Sequence, residues 1–185
     1  MKLGRLGVWY STDKLDGSQL RDLVRTVENN GYSALWYPES RGYEPMSLAA
    51  VLLSNSEKLV IGSSIANIYA RDSFTGLRAM VSLNALYGDR FILGLGVSHI
   101  PMVEGLRGHR YEKPVAAMDA YLDGINKFAP AGELPPVVVA ALGPKMLALS
   151  GAKSRGAVPY NVTPQHTAQA AAILGPSKCS RWNRR

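Results

Sequence analysis

Asp89-Arg90-Phe91-Ile92-Leu93-Gly94-Leu95-Gly96-Val97-Ser98-His99 is the stretch whose reading decides the fold. An apolar run of strand length ends in two glycines and then delivers Ser98 and His99, so it reads as a buried strand with polar groups at its C-terminal mouth. That mouth is where α/β folds keep their chemistry. Gly94-Leu95-Gly96 begins like a dinucleotide fingerprint, but the motif requires a third glycine where His99 stands. Pro101 and the charged, glycine-rich segment from Glu104 to Arg110 follow, so no helix is expected to open directly from the turn. The glycines are then read as letting the strand pass close to its neighbours.

Working outward, the same unit recurs. Leu3 to Tyr10 reads as a short strand, followed by a helix capped by Ser18, with Leu20, Leu23, Val24 and Val27 at helical spacing and Asn29-Asn30-Gly31 at its end. Ala34 to Tyr37 is a second strand ending in Pro38-Glu39-Ser40, and Pro45 opens a helix through Leu53. Leu59 to Ile65 is a third strand and Ser73 to Tyr87 a helix. After the fourth strand, Phe91 to Val97, Pro114 starts a helix with Val115, Met118, Leu122 and Ile125 on one face. Pro136 to Leu142 is a fifth strand, and Gly143-Pro144 opens a helix near Lys145 to Lys153. A sixth strand, about Ala157 to Val162, leads through Thr163-Pro164 into a helix ending at Gly175, with Thr163 as N-cap. Six strand and helix units with continuous apolar strands imply a parallel sheet covered by helices, either an open doubly wound sheet or a barrel. Periodicity does not separate the two.

The 185 residues suit one domain with a substantial core. Arg5 interrupts the opening apolar run, so no signal peptide is expected, and the longest uncharged stretch, Gly156 to Ser177, holds three prolines and does not read as a membrane span. These features, with the lone Cys179, lead to an expected cytoplasmic location. The net charge of +7 comes from one end: residues 1 to 133 hold 14 Lys/Arg against 14 Asp/Glu, and seven basic residues follow with no acid among them. The body shows no basic face with interleaved aromatics, so nucleic acid is not expected as a partner.

Polar residues after each strand gather at one face in either architecture: Trp9 and Ser11, Glu39 and Ser40, Asn67 and Arg71, Ser98 and His99, Gly143 and Lys145, Asn161 and Thr163. They suggest a polar, aromatic-edged pocket for a small organic ligand. The three histidines, at 99, 109 and 166, lie on separate segments with no carboxylate at ligand spacing, so no metal site is expected. Neither a nucleophile elbow nor a P-loop occurs. His99 is the candidate acid/base, because an imidazole trades protons near neutral pH. Lys145, beside a helix start, could help hold a phosphate through backbone N–H groups and charge.

Four segments together resemble one family. Trp36-Tyr37-Pro38-Glu39-Ser40, Ile61-Gly62-Ser63-Ser64-Ile65-Ala66-Asn67-Ile68-Tyr69-Ala70-Arg71-Asp72, Gly88-Asp89-Arg90-Phe91 to His99, and Ala140-Ala141-Leu142-Gly143-Pro144-Lys145-Met146 resemble the luciferase-like monooxygenase superfamily, closest to its deazaflavin (coenzyme F420) oxidoreductase branch. The resemblance implies a TIM (β/α)8-type barrel with the cofactor ring at the strand C-termini, F420 or alternatively FMN. It implies a non-proline cis peptide at Ser64-Ile65 under the ring, ring contacts at Glu39 and Ser40, and Asn67 among the cofactor-binding residues. Ser98 and His99 match the positions lining the ring, with His99 and Glu39 as the catalytic pair, and Gly143, Lys145 and Thr163 match the region that holds the phosphate. Relatives often carry aspartate or histidine where Glu39-Ser40 stands.

Eight units make such a barrel and this sequence supplies about six. The resemblance runs to about residue 178, so residues 1 to 178 read as one partial barrel domain and 179 to 185 as a basic tail outside the family pattern, as in a truncated or frame-shifted product. Exposed strand edges would then favour a homo-oligomer. Two functions follow: hydride transfer between F420 (or a flavin) and a small substrate, or a truncated non-catalytic remnant that binds flavin or is inactive and associates as an oligomer.

Overall fold

Strands β2 (Ala34–Tyr37), β3 (Val60–Ser63), β5 (Phe91–Gly96) and β6 (Val137–Val139) are buried at every residue in the computed structural model, which describes residues 3–129 and 132–175. Burial on both faces is why they read as unbroken apolar runs rather than alternating ones. The order of elements is β1 (Gly7–Trp9), α1 (Gly17–Asn29), β2, α2 (Pro45–Ser54), β3, a two-residue β4 (Ala66–Asn67), α3 (Ser73–Tyr87), β5, α4 (Pro114–Asn126), β6, α5 (Pro144–Lys153) and α6 (Pro164–Leu174).

The chain forms two compact units, one taking in Arg78–Leu93 with the residues up to Ala66, the other Asn67–Leu77 with the residues from Gly94 on. In the first unit β1, β2 and β3 pair in parallel, with Trp9 beside Trp36 and Trp36 beside Gly62, and Ile61 of β3 pairs with Phe91 at the start of β5. Leu35, Tyr37, Leu52, Leu53, Ile61 and Phe91 are fully buried there. Trp36 dictates Gly62: a Cβ on that glycine would overlap the indole ring. Arg90, just before β5, donates to the carbonyls of Tyr87, Leu53 and Leu59 and to Ser56 Oγ, tying the ends of α2 and α3 to the strand starts. In the second unit, Ala140 N–H donates to Leu95 O at 2.8 Å and Ile68 N–H to Gly96 O at 3.1 Å, setting β6 and the residues after β4 beside the end of β5. Met118, Leu122, Ile125 and Val139 fill this core.

Three expectations need correction. The N-cap of α1 is Asp16, not Ser18: Asp16 Oδ1 accepts from the N–H groups of Ser18 and Gln19, and Gln19 Oε1 accepts in return from Asp16 N–H, a reciprocal capping box. A helical turn does open directly after Ser98-His99. It is a single π-helical turn, Pro101–Gly105, closed by Leu106 N–H donating to Pro101 O at 3.1 Å. The sixth strand shrinks to one parallel bridge, Val139 to Ala157, made by Val139 N–H donating to Gly156 O at 3.0 Å and Val158 N–H to Val139 O at 2.9 Å. The expected basic tail, 179 to 185, lies outside the described residues.

Candidate functional site at the strand C-termini

The first unit carries one group of the expected residues. Beyond the ends of β2 and β3 the chain turns at Ser64-Ile65, whose peptide bond is cis, as the resemblance implied. Ser64 N–H donates to Tyr37 O at 2.7 Å, Glu39 N–H to Ile65 O at 3.2 Å, and Trp9 Nε1 to Ser64 O at 3.4 Å. The structure thus brings Glu39, Ser64 and Ile65 together, stitched by backbone bonds at the C-terminal ends of three strands. Glu39, Ser64 and Ile65 are half-buried, and Ser40 is exposed beside them.

The second unit carries the rest, in two groups. Asn67 is buried and its Oδ1 accepts from Tyr69 N–H at 3.0 Å, while its carbonyl accepts from Ala70 N–H and Arg71 Nη1. Its amide oxygen is therefore engaged in shaping the turn after β4. Ser98 has φ 57°, a left-handed conformation uncommon outside glycine, and marks the sharp exit from β5. His99 follows, exposed, with its carbonyl accepting from the N–H groups of Met102 and Val103.

Sequence reasoning missed the aromatic wall here. Tyr111 stacks on Tyr69, centroids 5.8 Å apart, and its hydroxyl donates to Ser98 O at 3.4 Å; Tyr69 Oη accepts from Glu112 N–H and Glu104 Oε1 from Tyr111 N–H. Burial, and secondarily the neighbouring Tyr69, push the Tyr111 hydroxyl above its ordinary pKa, keeping it a donor. The available signal was the position of Tyr69, two residues beyond a strand-end asparagine.

Gly143, Lys145 and Thr163 stand at two helix starts. Gly143 is the N-cap of α5, no side chain caps that helix, and a Cβ on Gly143 would meet only open space. The first N–H groups of α5 are thus left to an outside acceptor, with exposed Lys145 in the same turn. Thr163 caps α6 as expected, its Oγ1 accepting from His166 N–H at 3.2 Å. The His166 ring returns to the Gly143 turn, Nε2 lying 2.8 Å from Leu142 O. Among the described residues no group of three His, Cys, Asp or Glu could hold a metal ion, and no helix is long and apolar enough to cross a membrane.

A family model described as luciferase-like monooxygenase matches residues 1–174. A Mycobacterium tuberculosis protein, whose name places it with coenzyme F420-dependent oxidoreductases, is 32% identical over 128 residues, 69% of this chain and 36% of that protein. The coenzyme F420-dependent tetrahydromethanopterin reductase of Methanopyrus kandleri superposes with a TM-score of 0.76 at 16% identity, over 94% of this chain and 60% of that one. A riboflavin lyase solved with modified FMN and riboflavin gives 0.76 at 11%, over 94% and 58%. Identities this low carry the fold alone, an α/β fold of the (β/α)8 barrel type of which this chain supplies about six units. The chain spans between about a third and three fifths of these relatives' lengths, and it belongs to the luciferase-like monooxygenase family.

Proposed function

We propose that this chain binds the deazaflavin coenzyme F420, with FMN as the alternative, and serves hydride transfer between that cofactor and a small organic substrate. Support for F420 comes from the mycobacterial and Methanopyrus relatives, and for FMN from the riboflavin lyase. The observation that carries the reading is the Ser64-Ile65 turn, tied to Trp9, Tyr37 and Glu39 from the ends of β1 and β2. Backbone pinned in this way makes a rigid, flat seat for a ring.

The residues present fit such a cofactor. In the first unit Ser64 and Ile65 would seat the ring and Glu39 and Ser40 would contact its edge; in the second unit Asn67 and Ser98, at the turns after β4 and β5, belong to the proposed cofactor-binding residues. Gly143, with no Cβ to occupy the open space at an uncapped helix start, admits a phosphate oxygen to the first N–H groups of α5, and Lys145 adds charge. Thr163 Oγ1 already accepts from His166, which leaves its hydroxyl proton to donate to the same phosphate. When bound, the deazaflavin supplies or takes hydride at its C5. His99, exposed at the exit of β5, holds the coupled proton on an imidazole nitrogen, and Glu39 orients the substrate edge. Association into a homo-oligomer belongs to the same proposal, supported by exposed apolar side chains such as Leu86, 74% accessible.

The test is reduction of F420 by a panel of small alcohols, and oxidation of the reduced form by ketones and enones, followed by the deazaflavin absorbance. His99→Asn should lower turnover by about 10²-fold or more while the F420 dissociation constant stays within about twofold. Equal losses in both would remove His99 from the proton step. Binding without turnover on any substrate would favour a chain that only holds the cofactor.

A further inference from the structure

We infer that His166 is a positioning residue that clasps the two helix starts offered to the cofactor's phosphate; this rests on the function proposed above. His166 lies in the first turn of α6, its own N–H donating to the Thr163 cap, while its ring reaches back 24 residues in sequence to the Leu142 carbonyl. Leu142 immediately precedes Gly143, the N-cap of α5. One side chain therefore joins the turn that starts α5 to the turn that starts α6.

The direction of the bond is set by chemistry. A carbonyl only accepts, so Nε2 carries a proton and donates to Leu142 O. Nδ1 is shielded from solvent and has no hydrogen-bond partner, so the ring is packed in place by contact rather than by a second polar anchor. The clasp also acts where it is needed. Further along, α5 and α6 pack against each other, with Gly151 beside Leu174. At their starts, Leu142, Gly143, Lys145 and Thr163 are all exposed, while Ala141 before the Gly143 turn and Met146 and Leu147 after it are buried. The Leu142 to His166 bond sets where the α5 N–H groups point relative to the Thr163 hydroxyl.

A clasp of this kind makes a specific prediction: its loss harms recognition of the phosphate and spares recognition of the ring. The experiment titrates the full chain and its His166→Leu and His166→Gln variants with F420 and with the phosphate-free ribityl deazaflavin. Gln is included because its side-chain amide N–H can still reach the Leu142 carbonyl. His166→Leu should weaken F420 by about tenfold, the scale of groups that orient a ligand's direct contacts, and leave the phosphate-free compound within about twofold. His166→Gln should recover most of the F420 affinity. Unchanged F420 binding by His166→Leu, equal losses for both compounds, or no recovery by Gln would each overturn the clasp while leaving the cofactor reading standing. Failure of the unmutated chain to bind F420, or binding it no better than the phosphate-free compound, would overturn the cofactor reading and the clasp with it.

Discussion

Glu28 shows how much one side chain does outside the candidate site. Its carboxylate, at the end of α1, accepts from the N–H groups of Glu57, Lys58 and Leu59, three donors that open the approach to β3. Burial pushes its pKa up, but the hydrogen bonds from Lys58, Glu57 and Leu59, with Arg90 nearby, outweigh it and hold the carboxyl below its ordinary value. A carboxylate lowered on folding contributes stability that is complete above its unfolded value, about 4.3, and is lost as pH falls through the folded one. Glu28→Gln should therefore cost about 2 kcal/mol at neutral pH and flatten the loss of stability below about pH 4.5, checked by urea melts across pH. Parallel pH curves for the two proteins would contradict this. Gly62 makes the complementary case, where an atom is excluded rather than needed. Gly62→Ala forces a methyl into the Trp36 ring and should cost about 1–3 kcal/mol by the same melts. No change would mean the indole moves aside freely.

Element by element, legibility followed burial and local bonding. β2, β5 and α3 could be read almost to the residue, because a fully buried strand is a continuous apolar run and α3 lies between Asp72, which bonds Thr75, and Gly88. The start of α1 was misread although its signal was present: Asp16 and Gln19 have capping-box spacing, whereas Ser18 lies inside the helix and donates its hydroxyl to Asp16. Asp16→Ala should therefore lower the melting temperature by a few degrees, and Ser18→Ala by clearly less. The opposite order would restore Ser18 as the cap. The π turn after His99 carried one local signal, Pro101 at its first position, which sequence reasoning takes instead as a break; Glu104 within the turn also accepts from Tyr111 N–H. The sixth strand stops after a single bridge, Val139 to Ala157, so an apolar run there was too weak a signal for its length.

At the scale of the whole molecule, the strand-end positions of the candidate residues were legible because parallel strands end together, so Glu39, Ser64 and Ile65 meet at one edge. What the sequence could not announce were the bonds that cross long separations: Tyr111 to Ser98, Tyr69 to Glu112, and His166 to Leu142. Each depends on which loops the fold brings side by side, and no spacing rule encodes that. Family membership rests on residues 1–174; within the proposal, the pinned Ser64-Ile65 turn supports the ring seat and the uncapped start of α5 supports the phosphate contact, each on its own. The measurement that tests this most directly is a fluorescence titration of the 185-residue chain with F420, with FMN as competitor. The account predicts saturable quenching by F420 that FMN displaces poorly. A folded, soluble sample that binds neither ligand would contradict it.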